Sequence, residues 1–81
     1  MKYNMDVNQF LELYESGRID FQGIDLRKIN LSHADLSYAN FTNANLTNAN
    51  LTNADLSEAH LINVNLAHAN LSNTNLYSSD L

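Results

Sequence analysis

A phenylalanine or leucine stands at every fifth position from Phe21 to Leu81, thirteen positions in one unbroken register. Eleven are Leu, and only Phe21 and Phe41 differ. Neither standard secondary structure accommodates that period. On a straight strand side chains alternate faces, so Leu31 and Leu36 would point in opposite directions. On an α-helix five residues advance the direction by roughly 500°, which scatters the leucines around the whole circumference. All thirteen can face one interior only if the backbone turns a corner in each repeat. Right-angled corners close a coil after four repeats, so that residue i stacks on residue i+20. The period predicts an all-β solenoid, a four-sided β-helix of about three coils over residues 19–81.

The other positions of the repeat agree. Two residues before the large apolar side chain stand Ile19, Ile24 and Ile29, then Ala34, Ala39, Ala44, Ala49, Ala54, Ala59 and Ala69. Leu at the centre of each side and Ala near each corner would fill the interior. The residue just before the Leu is Asp or Asn in every repeat except at His60, and mainly Ser or Thr follows it. Asn and Asp suit corners because they tolerate turn conformations and bond their own backbone. Stacking by twenty places Phe21 under Phe41 and builds a column of Asn30, Asn50 and Asn70, for which an amide ladder is expected. Successive coils should lie ~4.8 Å apart, as paired strands do. Asp35 stacks on Asp55, and like charges directly opposite are unfavourable, so a raised pKa is expected for one of the two.

The unit Ala-Asn-Leu-Thr-Asn, seen at residues 44–48 and 49–53, resembles the pentapeptide-repeat family, whose consensus is Ala-(Asp/Asn)-Leu followed by two polar residues. The likeness covers residues 19–81 in unbroken register. It implies a right-handed quadrilateral β-helix with the central Leu or Phe and the preceding Ala both buried. Departures are mild: Val64, Thr74 and Ser79 replace Ala, and His60 replaces Asp or Asn.

Residues 1–18 read as lead-in and cap. A short helix is expected over residues 6–16, with Asp6 as N-cap, Val7, Phe10, Leu11 and Tyr14 as an apolar stripe, and Gly17 as terminator. Solenoids need covered ends, so the helix is expected to close the first coil, the alternative being a partner-binding helix. The start of the sequence lacks the apolar core of a signal peptide, and no apolar run exceeds two residues, which makes the cytoplasm the expected compartment.

The third coil differs from the others. The outward position after each central Leu holds Thr42, Thr47, Thr52 and Ser57 in the second coil but Ile62, Ala67, Ser72 and Tyr77 in the third. With Leu71, Leu76 and Leu81 at the last coil, the expected arrangement is a homodimer in which Ile62, Ala67, Leu71, Leu76, Tyr77 and Leu81 meet their counterparts; the alternative is a frayed tail.

Chemistry finds little support. His33, His60 and His68 fall in three different columns, so they cannot gather around one metal, and no Gly-rich phosphate loop occurs. There is no Cys for a disulfide or a thiolate site. Five Asn-X-Ser/Thr sequons follow trivially from the repeat unit. A triad or paired-carboxylate site is not expected on a convex polar exterior, so neither an enzyme nor a cofactor is expected. A formal net charge of −5 disfavours direct contact with nucleic acid or an anionic membrane. The leading function class is a non-catalytic structural or protein-interaction module. The family resemblance implies an alternative, a DNA-mimic modulator of a type II topoisomerase such as gyrase. Against it, residues 31–79 carry only Asp35, Asp55 and Glu58 as charges.

Overall fold

Each repeat of the second coil, residues 40–59, spends its five backbone N–H groups in one fixed pattern, and residues 40–44 illustrate it. The Asn40 N–H donates back to the Ile19 carbonyl at 2.7 Å, while those of Phe41 and Asn43 donate forward to His60 at 2.8 Å and Ile62 at 2.9 Å. The Ala44 N–H closes a β-turn onto the Phe41 carbonyl at 2.8 Å. The fifth, that of Thr42, donates to Asn40 Oδ1 at 3.1 Å, and the Thr42 hydroxyl joins it at 2.7 Å. No N–H in the repeat is left without an acceptor, which is what a thin structure with little interior requires.

This computed structural model describes residues 5–81; Met1–Asn4, the first part of the expected lead-in, lie outside the described residues. Parallel bridges join residue i to residue i+20 from Asp20↔Asn40 to His60↔Asp80. Twenty residues, or four repeats, therefore make one coil of a β-solenoid. The pairing consists of single-residue bridges and not of continuous strands. The turn in every repeat leaves only one residue per repeat in bridge geometry.

Two kinds of Asn now have separate tasks. The residue before the Leu is the bridge residue, and its side chain accepts from the residue two further on, as in Thr47 to Asn45 and Thr52 to Asn50. The residue two after the Leu has positive φ in every repeat from Gly23 to Ser78, and Asn fills five of those twelve places. The left-handed region costs most side chains about 1–2 kcal/mol, and Asn and Gly least. The expected amide ladder of Asn30, Asn50 and Asn70 takes a different form, because each carboxamide oxygen is engaged inside its own repeat.

The interior is a column of Leu and Ala. Leu26 to Leu61 are buried at every repeat centre, with Ala39 to Ala59 buried beside them. Phe21 and Phe41 stack with ring centroids 5.8 Å apart. Two of the departures from Ala keep their hydroxyls satisfied: Thr74 donates to the Leu51 carbonyl and Ser79 to the Leu76 carbonyl, each at 2.8 Å.

Helix α1 spans Val7–Glu15. Asp6 accepts the Asn8 N–H at 2.7 Å, and the Gln9 side chain reaches back to the Asp6 N–H, which completes a capping box. Gly17 then adopts φ 106°, a conformation that L side chains rarely reach. Of the apolar stripe, Phe10 is fully buried while Val7, Leu11 and Tyr14 pack half-buried on the core. The Phe10 ring lies 4.6 Å from Phe21 and 6.1 Å from Phe41, so the helix closes the open end of the first coil with an aromatic plug.

Candidate interaction surfaces

The exterior is built by the residues that the turn leaves outside, and its chemistry is chiefly hydroxyl and carboxamide. Asp55 shows how the repeat handles a charge there. Its Oδ1 accepts the Ser57 hydroxyl at 2.6 Å and the Ser57 N–H at 2.9 Å. These bonds favour the carboxylate and hold the Asp55 pKa below the ordinary aspartate range. The expectation of a raised pKa in the Asp35–Asp55 column is therefore corrected for Asp55. The Ser57 donors outweigh the desolvation that opposes them, and the carboxylate of Asp35 is exposed to high-dielectric solvent. Arg27 answers Asp25 in the same way, with a contact of 2.8 Å.

The three histidines stay apart. His33 and His68 occupy the positive-φ place of their repeats, and His60 occupies a bridge column, its Nδ1 3.7 Å from Asp80 Oδ2. Among the described residues no group of three His, Cys, Asp or Glu could hold a metal ion. Among them, too, no helix is long and apolar enough to cross a membrane.

A concavity lies where α1 meets the first coil. It is a cleft of about 450 Å³, with Leu11, Tyr14 and Glu15 on one wall and Ser32, His33 and Asp35 on the other. The Tyr14 hydroxyl donates to the Ser37 carbonyl at 2.6 Å and fixes the helix on that wall. The cleft is a seam between helix and coil; its acids and histidine make no shared constellation.

The last coil presents a second surface. Burial ends at Leu61; Leu66, Leu71 and Leu76 are half-buried and Leu81 is 71% exposed. Ile62 is half-buried, Ala67 is exposed and Tyr77 is 74% exposed. Forward-pointing N–H groups that pair in earlier coils, those of Leu66, Leu71 and Leu76, have no acceptor among the described residues.

A third surface escaped the sequence reasoning. Ile19 and Tyr38 are exposed on the same edge as Tyr77, in adjacent columns of the twenty-residue coil. Writing the sequence in rows of twenty would have shown it, since positions 19, 38 and 77 fall in three neighbouring columns.

The model of a family described as pentapeptide repeats matches the chain in eight copies, over residues 18–53 and 54–81. Among solved structures the chain is similar to alr5209, a pentapeptide repeat protein from Nostoc Pcc 7120, at 30% identity over 94% of this chain and 79% of that one, with a TM-score of 0.42. No curated protein matches it.

Proposed function

Because the chain belongs to the pentapeptide-repeat family, we propose that it is a non-catalytic protein-interaction module, a right-handed quadrilateral β-helix that self-associates through residues 62–81. The observation that carries this reading is the coincidence of apolar exposure and unpaired backbone at one end. Leu71, Leu76, Tyr77 and Leu81 lie beside forward-pointing N–H groups that lack acceptors among the described residues.

The backbone of that end is self-complementary. The Ala69 carbonyl and the Leu71 N–H flank Asn70, as the Thr74 carbonyl and the Leu76 N–H flank Asn75. One coil earlier the equivalent groups of Ala49 and Leu51 both bond to Asn70, at 2.9 and 2.8 Å. Two copies related by a two-fold axis can exchange such C=O and N–H groups as an antiparallel pair. Ile62 and Ala67 would then be covered by the second copy, where apolar side chains are tolerated.

Light scattering after size exclusion should give twice the mass of one chain. Ile62→Asp, or removal of residues 77–81, should shift it towards monomer. A monomer at high concentration in the intact protein would overturn the reading.

Charge density argues against duplex mimicry. The longest extent is 34 Å, over which a DNA duplex carries about twenty phosphate charges. The chain has nine Asp and Glu against four Lys and Arg. The expected outcome in a gyrase supercoiling assay is no effect at high molar excess.

A further inference from the structure

Of the four large apolar side chains exposed among the described residues, three share one edge of the solenoid: Ile19 at 49%, Tyr38 at 60% and Tyr77 at 74%. Backbone hydrogen bonds fix their neighbourhood. The Asn40 N–H donates to the Ile19 carbonyl at 2.7 Å, the Tyr38 N–H to Ser57 at 3.1 Å, and the Glu58 N–H to Tyr77 at 2.9 Å. Ile19, Tyr38, Glu58 and Tyr77 thus stand on four successive levels of one edge, with levels ~4.8 Å apart. Glu58 is exposed between the two tyrosines and makes no ion pair among the described residues.

Two further facts indicate what this edge meets. The sequence has no Lys or Arg after Lys28, so no Lys or Arg of the chain's last fifty-three residues can answer Glu58. Arg18, at the foot of the edge, is already engaged: its guanidinium lies 4.9 Å from the Phe21 ring centroid and its Nε donates to the Asp20 carbonyl at 2.9 Å. Tyr38 itself is held at φ 68°, in the place that Asn or Gly fills at lowest cost, and its ring is not buried in return. At 60% exposure that side chain returns little burial for the cost of its backbone conformation.

We propose that this edge binds an extended segment of a partner protein through a Lys or Arg side chain set against Glu58, between the faces of Tyr38 and Tyr77, with an apolar neighbour of that residue on Ile19. The proposal rests on the reading of the chain as an interaction module. A cation flanked by two aromatic rings and a carboxylate gains from the ring quadrupoles and the charge together. The edge runs along the side of the solenoid and shares Tyr77 with the self-associating end, so peptide and second copy compete for that ring.

The test titrates the intact protein with a blocked Gly-Arg-Gly-Arg-Gly peptide and with its citrulline counterpart, following backbone amide resonances. Saturable shifts should centre on Tyr38, Glu58 and Tyr77. Glu58→Gln and the citrulline peptide should each weaken binding about fivefold or more, and Asp55→Asn should leave it unchanged. Tyr38→Asn should weaken binding while raising the melting temperature, whereas a Tyr38 with a purely structural role would lower it. Binding that survives Glu58→Gln, or shifts spread equally over Asp20, Asp25, Asp35 and Asp55, would overturn the proposal. The mass of the same samples is measured by light scattering. Absence of peptide binding in samples diluted to the mass of one chain overturns only the edge assignment.

Discussion

A single residue in this fold is defined by which of five roles it holds, and neighbours in sequence differ sharply in cost. Leu51 is fully buried in the column of leucines, whereas Thr52 faces outward and gives its hydroxyl to Asn50 Oδ1 at 2.6 Å. Leu51→Asn should cost about 3–5 kcal/mol, from lost packing and a carboxamide buried without partners. Thr52→Ser keeps the hydroxyl and should change stability by less than about 0.5 kcal/mol. Urea denaturation of the two variants checks this, and equal losses would refute the inward register. Asp55 gives a pH-dependent counterpart. Its folded-state pKa is lowered by the Ser57 hydroxyl and N–H, so its contribution to stability is complete above the ordinary aspartate range. That contribution is lost as pH falls through the lowered value. Ser57→Ala should raise the Asp55 pKa in a carboxyl NMR titration; an unmoved value would mean that the hydroxyl plays no part. The register was legible because a Leu or Phe marks it thirteen times. The sign of the Asp55 shift was not, because column stacking shows the opposing carboxylate but hides the local donors two residues away.

At the scale of elements, the helix and the coil are joined by one ring. Phe10 is completely buried, touches both stacked phenylalanines of the coil interior, and belongs to a helix of only nine residues. So short a helix is not stable alone and depends on its packed face. Phe10→Ala should therefore cost about 3–5 kcal/mol and loosen the whole of α1, not merely leave a hole. Circular dichroism with thermal melting would register both effects. A helix that persists with unchanged melting would make α1 an independent appendage. The caps of this helix were readable from Asp6 and Gly17, since each answers a local backbone need, whereas the return bond of Gln9 was not read. That Phe10 plugs the column of Phe21 and Phe41 was not readable, because a stripe on a helix does not state which end of which column it faces. The single-residue bridges were hidden for a similar reason: a period of five fixes how often the chain turns, and not how much of each repeat the turn consumes.

Over the whole molecule, the hydrogen-bond pattern gives the solenoid a direction. In each repeat of the second coil two backbone N–H groups point to the following coil and one points to the preceding coil, as Phe41, Asn43 and Asn40 do. Amide hydrogen exchange should resolve that direction residue by residue. The N–H groups of Leu46, Leu51 and Leu56 donate to the carbonyls of Asn65, Asn70 and Asn75 at 2.8 Å, and should exchange slowly. Those of Asn65, Asn70 and Asn75 donate back to Ala44, Ala49 and Ala54 at 2.9 Å, and should be slow as well. Yet the very next amides, of Leu66, Leu71 and Leu76, have no acceptor among the described residues and should exchange fast in dilute solution. Fast and slow amides would then alternate between adjacent residues, a pattern that fraying of the coil cannot produce, since fraying releases both together. Raising the protein concentration adds a second readout. If two copies meet at this end and exchange the Leu71 and Leu76 N–H groups for carbonyls of the partner, those two amides should slow while the amide of Tyr38, bonded to Ser57, stays as it was. Fast exchange at Leu71 and Leu76 in a sample whose mass is that of two chains would place the contact elsewhere on the surface.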